Sequence, residues 1–599
     1  MPVYNAPLDD SLFVLFDLLQ IDGDQYGEIF ADIDRETVTA IAGEFGKLMT
    51  DVVAPLNITG DKQGCSLSNG VVSTPDGFKA GFEALKAGGW TGLVCDPEYG
   101  GQGLPLAMGN ILSEYLNSAN MGFSMYYGLT MGAYAAIHTC ASAELKAKYL
   151  PKMVACEWTG TMNLTEPHCG TDLGLIRTKA VDNKDGSFAI SGTKIFISAG
   201  DHDLAENVIH LVLARSDDMP DGVKGLSLFL VPKINVEADG SLGTGNHVSV
   251  GSIEEKMGIH GNSTCVMNFD GSQGYLIGEK GNGLKNMFIM MNEARLGVGI
   301  QGLAISEVAF QNARAYALDR RQGKAATGQK DQGEAADRII HHANIKSSLM
   351  SIRAFNEAAR ALVGEVSVLT DVIHKTTDEK VKSLATDRVN LLTPIVKGVM
   401  TDQGFDNAVV AQQIFGGHGY IQEHGMEQFV RDARIAMIYE GTNDIQALDL
   451  VSRKLPAKHG QTVMAYLQDI GGFIEANKAN KQLADIVSAL QQASEALQVA
   501  LGYLMEHGQR NPDNAVAAAH DFMHLMGIVT FGHIWAKMAL VAHEKLADDS
   551  KRHASEDFYK SKIYLANHYA AKHLPQAKAL QVRLCAGAAS VNAMPIELI

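Results

Sequence analysis

The sequence predicts an α+β fold that is mostly α-helical, with helical and strand-forming segments segregated along the chain. Helix-forming sequence covers about residues 34–158, and short apolar or β-branched runs bounded by turn residues follow over 160–278. Helix spacing resumes near Gly283 and continues to the end of the chain. Because helices and strands do not alternate, we do not expect a doubly wound nucleotide-binding fold.

The first helical region is typified by residues 141–150, and a glycine-rich loop at 97–105 interrupts it. The strand-forming region contains apolar runs at 188–190, 194–198, 208–213 and 226–231. Asp185 and Gly186 stand just before the first run, which predicts a hairpin turn there. This part of the chain is therefore predicted to form the sheet.

The C-terminal half is predicted to be helical in two parts. The first runs from Gly283 to about Lys454, with a polar insertion at 324–334 that is predicted to be a mobile loop. In the second, Leu483, Ile486 and Leu490 keep helix-face spacing. The predicted domains are an N-terminal extension over 1–35, an N-terminal α domain over 36–159, a middle β domain over 160–280, a C-terminal α domain over 281–455 and an additional helical domain over 456–599.

Composition excludes several functional classes. The 599 residues are 46% hydrophobic and 20% charged, which is ordinary for a globular protein. A net charge of −18 disfavours nucleic acid as a partner. No uninterrupted apolar run approaches the roughly 20 residues that span a bilayer, so no membrane span is expected. The N-terminus lacks basic residues before Arg35, and the 7 cysteines contain no CxxC pair, so we expect a reduced, cytoplasmic chain.

The most informative segment is 435–446, in which an apolar run leads to Glu440 and Gly441. Apolar neighbours would raise the pKa of Glu440 and suit it to act as a base near neutrality. Asn443 and Gln446 have N-cap spacing, which predicts that a helix begins there. From these residues alone two interpretations stay open: a catalytic base on a loop between helices, or a carboxylate that only stands near a helix start.

Three other segments could approach a ligand. Residues 162–172 carry small hydrogen-bonding groups on a loop that leads into the β region, which would suit either a cofactor ring or an ordinary connection. The turn at 416–420 contains three glycines after an apparent helix. Arg320 and Arg321 end another helix, where their charges would either complement the helix dipole or bind a phosphate. His168 and Cys169 lack a partner motif, so no metal is expected.

Taken together and in this order, these motifs resemble the acyl-CoA dehydrogenase family over about residues 90–454. The first 40 residues and the extra C-terminal region resemble a bacterial branch of about 600 residues. The resemblance implies an N-terminal helical domain, a middle β-barrel-like domain and a C-terminal four-helix bundle, followed by an added helical domain. It also implies FAD as cofactor, an acyl-CoA substrate, electron-transfer flavoprotein as acceptor and a homodimer.

The resemblance assigns roles to single residues. Glu440 matches the catalytic base, and the position that holds the base in some members is Ala294 here, before Arg295. Residues that match FAD contacts are Met162, Leu164, Thr165, Thr171, Phe196, Ser198, Arg320, Gln413, Gly417, Thr442 and Asp444. Residues that match the substrate side are Thr171, Arg295, Tyr439 and Gly441.

The implied reaction is α,β-dehydrogenation of an acyl-CoA thioester to the trans-2-enoyl-CoA, with 3-methylthiopropionyl-CoA as one candidate substrate. An acyl-CoA oxidase is the nearest alternative, because the 416–420 turn and a long helical C-terminus also occur there. A flavin-bearing, nucleic-acid-associated member of the superfamily would need a basic C-terminal surface, and acidic and basic residues are about balanced there. A purely structural helical protein would not explain the matched cofactor positions.

Overall fold

The computed structural model describes residues 2–31, 33–216 and 218–599. The α-helices, in chain order, are α1 (Leu8–Leu12), α2 (Arg35–Leu48), α3 (Leu56–Gln63), α4 (Phe78–Ala87), α5 (Leu106–Ala119), α6 (Met121–Cys140), α7 (Ala143–Val154), α8 (Gly283–Asp319), α9 (Ala343–Lys375), α10 (Glu379–Pro394), α11 (Met400–Ile414), α12 (Met426–Ala436), α13 (Asn443–Asp449), α14 (Gln461–Asn477), α15 (Ala484–Tyr503), α16 (Pro512–Ala547), α17 (Glu556–Lys572), α18 (Gln576–Leu584) and α19 (Ala589–Asn592). The strands are β1 (Ser66–Ser68), β2 (Val71–Ser73), β3 (Trp158–Asn163), β4 (Lys179–Asp182), β5 (Phe188–Ser198), β6 (Asn207–Ser216), β7 (Leu226–Pro232), β8 (Ile234–Val236), β9 (Leu242–Gly245), β10 (Val248–Ile253) and β11 (Thr264–Ile277).

The chain forms two compact units. The sheet unit comprises Lys47–Gly297, and the helical unit comprises Met1–Gly46 with Val298–Ile599. The predicted segregation of helical and strand regions is therefore confirmed, with the sheet confined to the middle of the chain.

The sheet unit is built on a seven-stranded sheet with the order β10-β11-β5-β4-β6-β3, and β7 pairs with both β11 and β6. The predicted hairpin at Asp185 and Gly186 joins β4 to β5, with Asp182 opposite Phe188. The two predicted runs at 188–190 and 194–198 are parts of one strand, β5. Both faces of β6 are buried, because Leu211 lies in one hydrophobic cluster and Val212 in the other. Burial of both faces explains why its sequence is a continuous apolar run rather than an alternating one.

The helical unit contains the long helices α9 and α16, which pack against each other and against α17. Trp535 on α16 is fully buried, and its indole Nε1 donates to the Ala354 carbonyl on α9 at 2.9 Å. A π-helical turn, Ile395–Val399, separates α10 from α11 just after Pro394. The bundle helices and the helices that follow residue 455 thus share one core.

The N-terminal segment is anchored in the helical unit by buried acids. Asp10 pairs with Arg360 and Lys562. Burial alone would raise the pKa of Asp10, but these two cations outweigh it and lower the pKa. Asp17 pairs with Lys545 at 2.9 Å. No role for these two acids was predicted from the sequence, whereas the structure makes them anchors of the N-terminal segment.

The insertion at 324–334 is a loop, as predicted, without helix or strand in this fully described stretch. Asp331 ties the loop down, because its carboxylate pairs with Arg321 at 2.9 Å and with Arg338 at 3.0 Å. The predicted mobility of the loop stays a prediction.

Among the described residues, one helix, α16, is long and apolar enough to cross a membrane by length and composition. It was not predicted from the sequence, because polar residues interrupt its apolar run. Of its most apolar 18 residues, 78% are buried inside the protein, as in the core helix of a globular domain. The expectation of no membrane span therefore stays a prediction, now favoured by burial.

Candidate active site

Glu440 lies on a short loop between two helices, which is the position that the interpretation as a catalytic base predicted. Helix α12 ends at Ala436 and α13 begins at Asn443. Glu440 has a φ of 58° and Gly441 a φ of 79°. A left-handed backbone costs a residue other than glycine roughly 1–2 kcal/mol, and such strain persists only where surrounding contacts impose it. Glu440 is therefore held in a specific and unusual conformation.

Helix α13 begins where predicted, but its cap is Thr442 rather than Asn443. Thr442 Oγ1 accepts from the Ile445 amide, and Thr442 is exposed. Asn443 cannot serve as the cap, because its buried side chain points inward and donates to Asp402 Oδ1 at 2.7 Å and Thr401 Oγ1 at 2.9 Å. The motif was right about the helix and wrong about the capping residue.

Three contacts inside the helical unit hold the Glu440 loop. Lys397 Nζ donates to the Gly441 carbonyl at 2.7 Å and to Asn443 Oδ1 at 2.7 Å. Gln446 Nε2 donates to the Glu440 carbonyl at 3.1 Å. Lys397 stands in the π-helical turn at 395–399, and an inserted π-turn often marks a functional position. Lys397 was not predicted from the sequence, where its only local signal is Pro394, three residues earlier.

Tyr439 precedes Glu440 and is held by a hydrogen bond from its hydroxyl to Gln301 Oε1. Burial raises the pKa of Tyr439, the nearby Glu440 carboxylate raises it further, and the bond to Gln301 opposes both. Glu440 Oε1 is itself buried. Burial of a carboxylate oxygen favours the predicted rise in the Glu440 pKa, and that rise stays a prediction.

In the sheet unit, the predicted flavin-side residues gather at the end of β3 and along β5. Met162 is on β3, and Leu164 and Thr165 follow it directly. The Ile195 amide donates to the Thr165 carbonyl at 2.9 Å, which joins this loop to β5. Phe196 on β5 has a φ of 60° and is 60% exposed. An exposed aromatic ring on strained backbone is unusual for a strand and suits contact with a flat ligand.

A buried ion pair, which was not predicted from the sequence, supports this edge of the sheet. Glu166 Oε1 and Lys194 Nζ are 2.9 Å apart, and Lys194 Nζ also donates to the Leu164 carbonyl at 3.0 Å. Burial would raise the pKa of Glu166, but the Lys194 charge and hydrogen bonds from Thr178 and Arg177 outweigh it and lower the pKa to about 2. Glu166 thus fixes the loop that carries the predicted contacts.

The other predicted residues of this unit are more dispersed. Thr171 is exposed, whereas Ser198 is half-buried and pairs with Thr264 on β11. Arg295 is buried on α8, with its guanidinium 5.5 Å from the centre of the Phe288 ring. Exposure of Thr171 leaves its hydroxyl accessible to a ligand.

His168 and Cys169 lie close to Glu166, but their surroundings oppose a metal. His168 Nε2 is 2.8 Å from the Leu175 carbonyl, which makes that nitrogen a donor. Burial and the Glu166 charge raise the pKa of the Cys169 thiol, and a metal needs the thiolate. The expectation of no metal at this pair stays a prediction.

On the helical unit, Arg320, Gln413 and Gly417 are all exposed. Arg320 directly follows the end of α8, and Gln413 lies near the end of α11. Tyr316 joins the two ends, because its ring stacks on Phe415 at 4.1 Å and its hydroxyl lies 2.8 Å from His418 Nδ1. The structure therefore brings these three predicted cofactor contacts to one accessible surface.

Comparison with known proteins identifies the class. Four family models match consecutive segments of the chain: the acyl-CoA dehydrogenase N-terminal domain at 70–157, the middle domain at 161–272, the C-terminal domain at 281–455, and an acetyl-CoA dehydrogenase C-terminal-like domain at 466–595. The chain belongs to the acyl-CoA dehydrogenase family and is an oxidoreductase of that family.

The family assignment also rests on relatives matched over nearly the whole chain. A 3-methylmercaptopropionyl-CoA dehydrogenase from Ruegeria pomeroyi is 38% identical, over 97% of this chain and 98% of its own length. A broad-specificity linear acyl-CoA dehydrogenase from Mycobacterium tuberculosis is 32% identical, over 96% of each chain. The fold is similar to the crystal structure of an acyl-CoA dehydrogenase complexed with FAD from Bacillus anthracis, with a TM-score of 0.74 at 20% identity over 92% of this chain and 88% of that one.

Proposed function

We propose that this chain is an FAD-dependent acyl-CoA dehydrogenase in which Glu440 removes the α-proton of the acyl thioester, leaving a trans-2-enoyl-CoA. The observation that carries the proposal is the left-handed conformation of Glu440. Gln446 donates to the Glu440 carbonyl, and Lys397 donates to the carbonyl of the next residue, Gly441. A base must be positioned closely relative to the proton it removes, and fixed backbone provides that.

The chain's own groups account for the acid–base part of the reaction. The α-hydrogen of a thioester is weakly acidic, so its removal needs stabilisation of the negative charge that develops on the thioester oxygen. We assign the Glu440 backbone N–H to donate to that oxygen while the Glu440 carboxylate takes the proton. Exclusion of water by the bound substrate strengthens both interactions.

The cofactor assigned to the chain is FAD, which supplies the acceptor for the β-hydride when it is bound. The residues present fit a flat ring and a pyrophosphate: Phe196 offers an exposed aromatic face beside Thr165, and Arg320 offers an exposed guanidinium at the end of α8. We assign the ring to Met162, Leu164, Thr165, Thr171, Phe196 and Ser198, and the other FAD contacts to Arg320, Gln413, Gly417, Thr442 and Asp444.

For the acyl group, the first candidate is a short, methylthio-substituted chain. The relative matched over 97% of this chain is named for 3-methylmercaptopropionyl-CoA, which supports this substrate. The Mycobacterium tuberculosis relative is named for linear acyl chains of broad specificity, which makes unsubstituted short and long chains the alternatives.

We further propose that electrons pass to electron-transfer flavoprotein and that the protein works as a cytoplasmic homodimer. The expectation of this acceptor rests on the family to which the chain belongs, and the net charge of −18 disfavours nucleic acid as a partner. Exposure of Arg320, which by resemblance reaches the FAD of a neighbouring subunit, supports the dimer. Size-exclusion chromatography with light scattering tests the dimer directly.

The decisive experiment is anaerobic mixing of the FAD-loaded protein with a panel of acyl-CoA esters while the flavin absorbance is followed. We expect bleaching, fastest with 3-methylthiopropionyl-CoA. Glu440→Gln should retain FAD and lose at least about a thousandfold in bleaching rate. The matched control is Glu423→Gln, which removes an exposed carboxylate from the turn before α12. The flavin of this variant should bleach at the normal rate. Near-normal bleaching by Glu440→Gln would remove the base assignment.

The same preparation distinguishes an oxidase. If the reduced protein is reoxidised rapidly by oxygen with formation of peroxide, the acceptor is oxygen and electron-transfer flavoprotein is not needed. Slow reoxidation in air and fast reoxidation by electron-transfer flavoprotein is the result that we expect.

A further inference from the structure

Helix α16 presents two histidines toward the helices that surround the Glu440 loop. His520 and His524 are four residues apart and therefore lie on one helical face. Their ring centres are 4.6 Å apart. Opposite them is Asp402 on α11, whose Oδ2 lies 2.9 Å from His524 Nε2 and 4.0 Å from His520 Nε2. All of these groups belong to the helical unit.

Asp402, His520 and His524 each place one possible metal-ligand atom close to the other two. The ligand atoms of Asp402, His520 and His524 all lie within 4.8 Å of one another. Ligand atoms about 2 Å from a tetrahedral zinc ion stand a little over 3 Å apart, so small side-chain rotations would bring all three to bonding distance. Two imidazoles and one carboxylate are a set that zinc and neighbouring transition metals prefer over magnesium or calcium.

Two further groups hold these side chains in the orientation that a metal needs. Asp444 Oδ1 lies 3.3 Å from His520 Nδ1, which places the proton on Nδ1 and leaves Nε2 as the ligand atom. Asn443 Nδ2 donates to Asp402 Oδ1 at 2.7 Å and leaves Oδ2 for coordination. Support of a ligating histidine by a carboxylate, and of a ligating carboxylate by a hydrogen bond, is typical of protein metal sites.

The side chains are also accessible to an ion. The His520 side chain is 48% exposed and that of His524 25% exposed, so an entry path exists. Asp402, by contrast, is mostly covered, with 13% of its side chain exposed. A half-open site with three protein ligands would leave a fourth position for water.

We propose that His520 Nε2, His524 Nε2 and Asp402 Oδ2 bind one divalent transition-metal ion of the zinc class, with Asp444 and Asn443 as supporting groups. The site joins the helix α16 to the segment that carries the Glu440 loop, because Asn443 contacts both Asp402 and Lys397. Asp444 is also among the residues assigned to FAD, but the three metal ligands are not, so the site does not depend on the proposed function. Its role is structural, because it ties α16 to α11 and to the start of α13.

The test is titration of the full-length, FAD-loaded protein with Zn²⁺ in competition with a chromogenic chelator. We expect one zinc ion per chain with a dissociation constant in the micromolar range or below. His520→Ala should abolish this binding, and Asp444→Asn should weaken it roughly 10- to 100-fold. The matched control, His507→Ala, removes another histidine with a 43% exposed side chain and should leave binding unchanged.

The response to Asp444→Asn separates a metal site from a set of simple ion pairs, since only an oriented ligand depends on its supporting carboxylate. Co²⁺ provides a second readout, because a four-coordinate site gives visible d–d bands that His520→Ala should remove. Thermal unfolding of each variant without metal shows that it is folded. Zinc binding that is absent, or that persists unchanged in His520→Ala, would overturn the proposal.

Discussion

Lys397 provides the sharpest test of how the Glu440 loop is held. Its side chain is fully buried, and its ammonium donates to the Gly441 carbonyl and to Asn443 Oδ1, both at 2.7 Å. Lys397→Met keeps much of the volume and removes the charge and both donors. The change does not touch Glu440 itself, so any loss of activity must come through its position.

The magnitude follows from the contacts. A hydrogen bond that involves a charged group contributes about 1.5–3 kcal/mol, and a non-glycine residue in a left-handed conformation costs about 1–2 kcal/mol. Loss of the Lys397 bond to Gly441 therefore removes about as much free energy as Glu440 gains by relaxing its φ of 58°. We expect the loop to shift and the barrier to rise by about 1.4–2.8 kcal/mol, which is a 10- to 100-fold loss in rate. Two acceptors left without their donor should lower the free energy of unfolding by about 2–4 kcal/mol.

The assay is single-turnover flavin bleaching with a saturating acyl-CoA, with the rate expressed per bound flavin so that unfolded protein does not contribute. The matched control is Lys562→Met, a second fully buried lysine, which pairs with Asp10 and Glu357. Lys562→Met should destabilise the protein by about 3–5 kcal/mol and leave the rate unchanged. A Lys397→Met rate within twofold of wild type, or an equal loss in Lys562→Met, would refute the reasoning.

Three further predictions concern the loop, the sheet edge and the cofactor surface. Gly441→Ala places a Cβ on a residue with a φ of 79°, only 3.0 Å from Gln446 Nε2. The free energy of unfolding should fall by about 1–2 kcal/mol, and flavin bleaching should slow. The control Gly472→Ala adds a Cβ in open space inside α14 and should raise the free energy of unfolding by about 0.5–1 kcal/mol. The pKa of Glu166 is lowered from 4.5 to about 2, so its ionised form stabilises the fold fully above pH 4.5, and this stabilisation is lost as pH falls toward 2. In urea unfolding, the difference in unfolding free energy between wild type and Glu166→Gln should decrease by about 2 kcal/mol between pH 6 and pH 3. A difference that stays constant over this range would contradict the prediction. Arg320→Ala should weaken FAD binding at least about tenfold, as measured by flavin fluorescence on dilution, whereas Arg314→Ala, also exposed on α8, should not.

Much of the fold could be predicted because its signals are local. The Asp185–Gly186 turn, the apolar run of β6 and the helix start after Glu440 each depend on neighbouring residues, and the structure confirms all three. The cap at Thr442 was missed for an equally physical reason. Asn443 and Thr442 are both competent caps, and only the buried partners of Asn443, which are distant in sequence, decide between them.

The supporting residues could not be predicted, because their partners are far apart in sequence. Lys397 meets Gly441 across 44 residues, and Asp402 meets His524 across 122. Asp10 pairs with Lys562, which is 552 residues away in the sequence. From the sequence alone Asp10 therefore resembles an ordinary surface acid, whereas in the structure it is a buried anchor. A motif names the group that reacts, whereas the groups that hold it are defined only by the tertiary fold.

The additional helical region packs against the turn that supports the Glu440 loop. The π-helical turn that carries Lys397 contacts α16 so closely that a Cβ on Gly398 would lie 2.4 Å from Met523 Sδ, and a Cβ on Gly527 would lie 2.9 Å from Val399. Glycine at both positions lets the two backbones approach, and that approach leaves little room for the turn to move. Since Lys397 positions the Gly441 carbonyl from this turn, the packing of α16 bears on the loop that holds Glu440. The packing of α16 against this turn therefore supports the position of the Glu440 loop, which carries the proposed base.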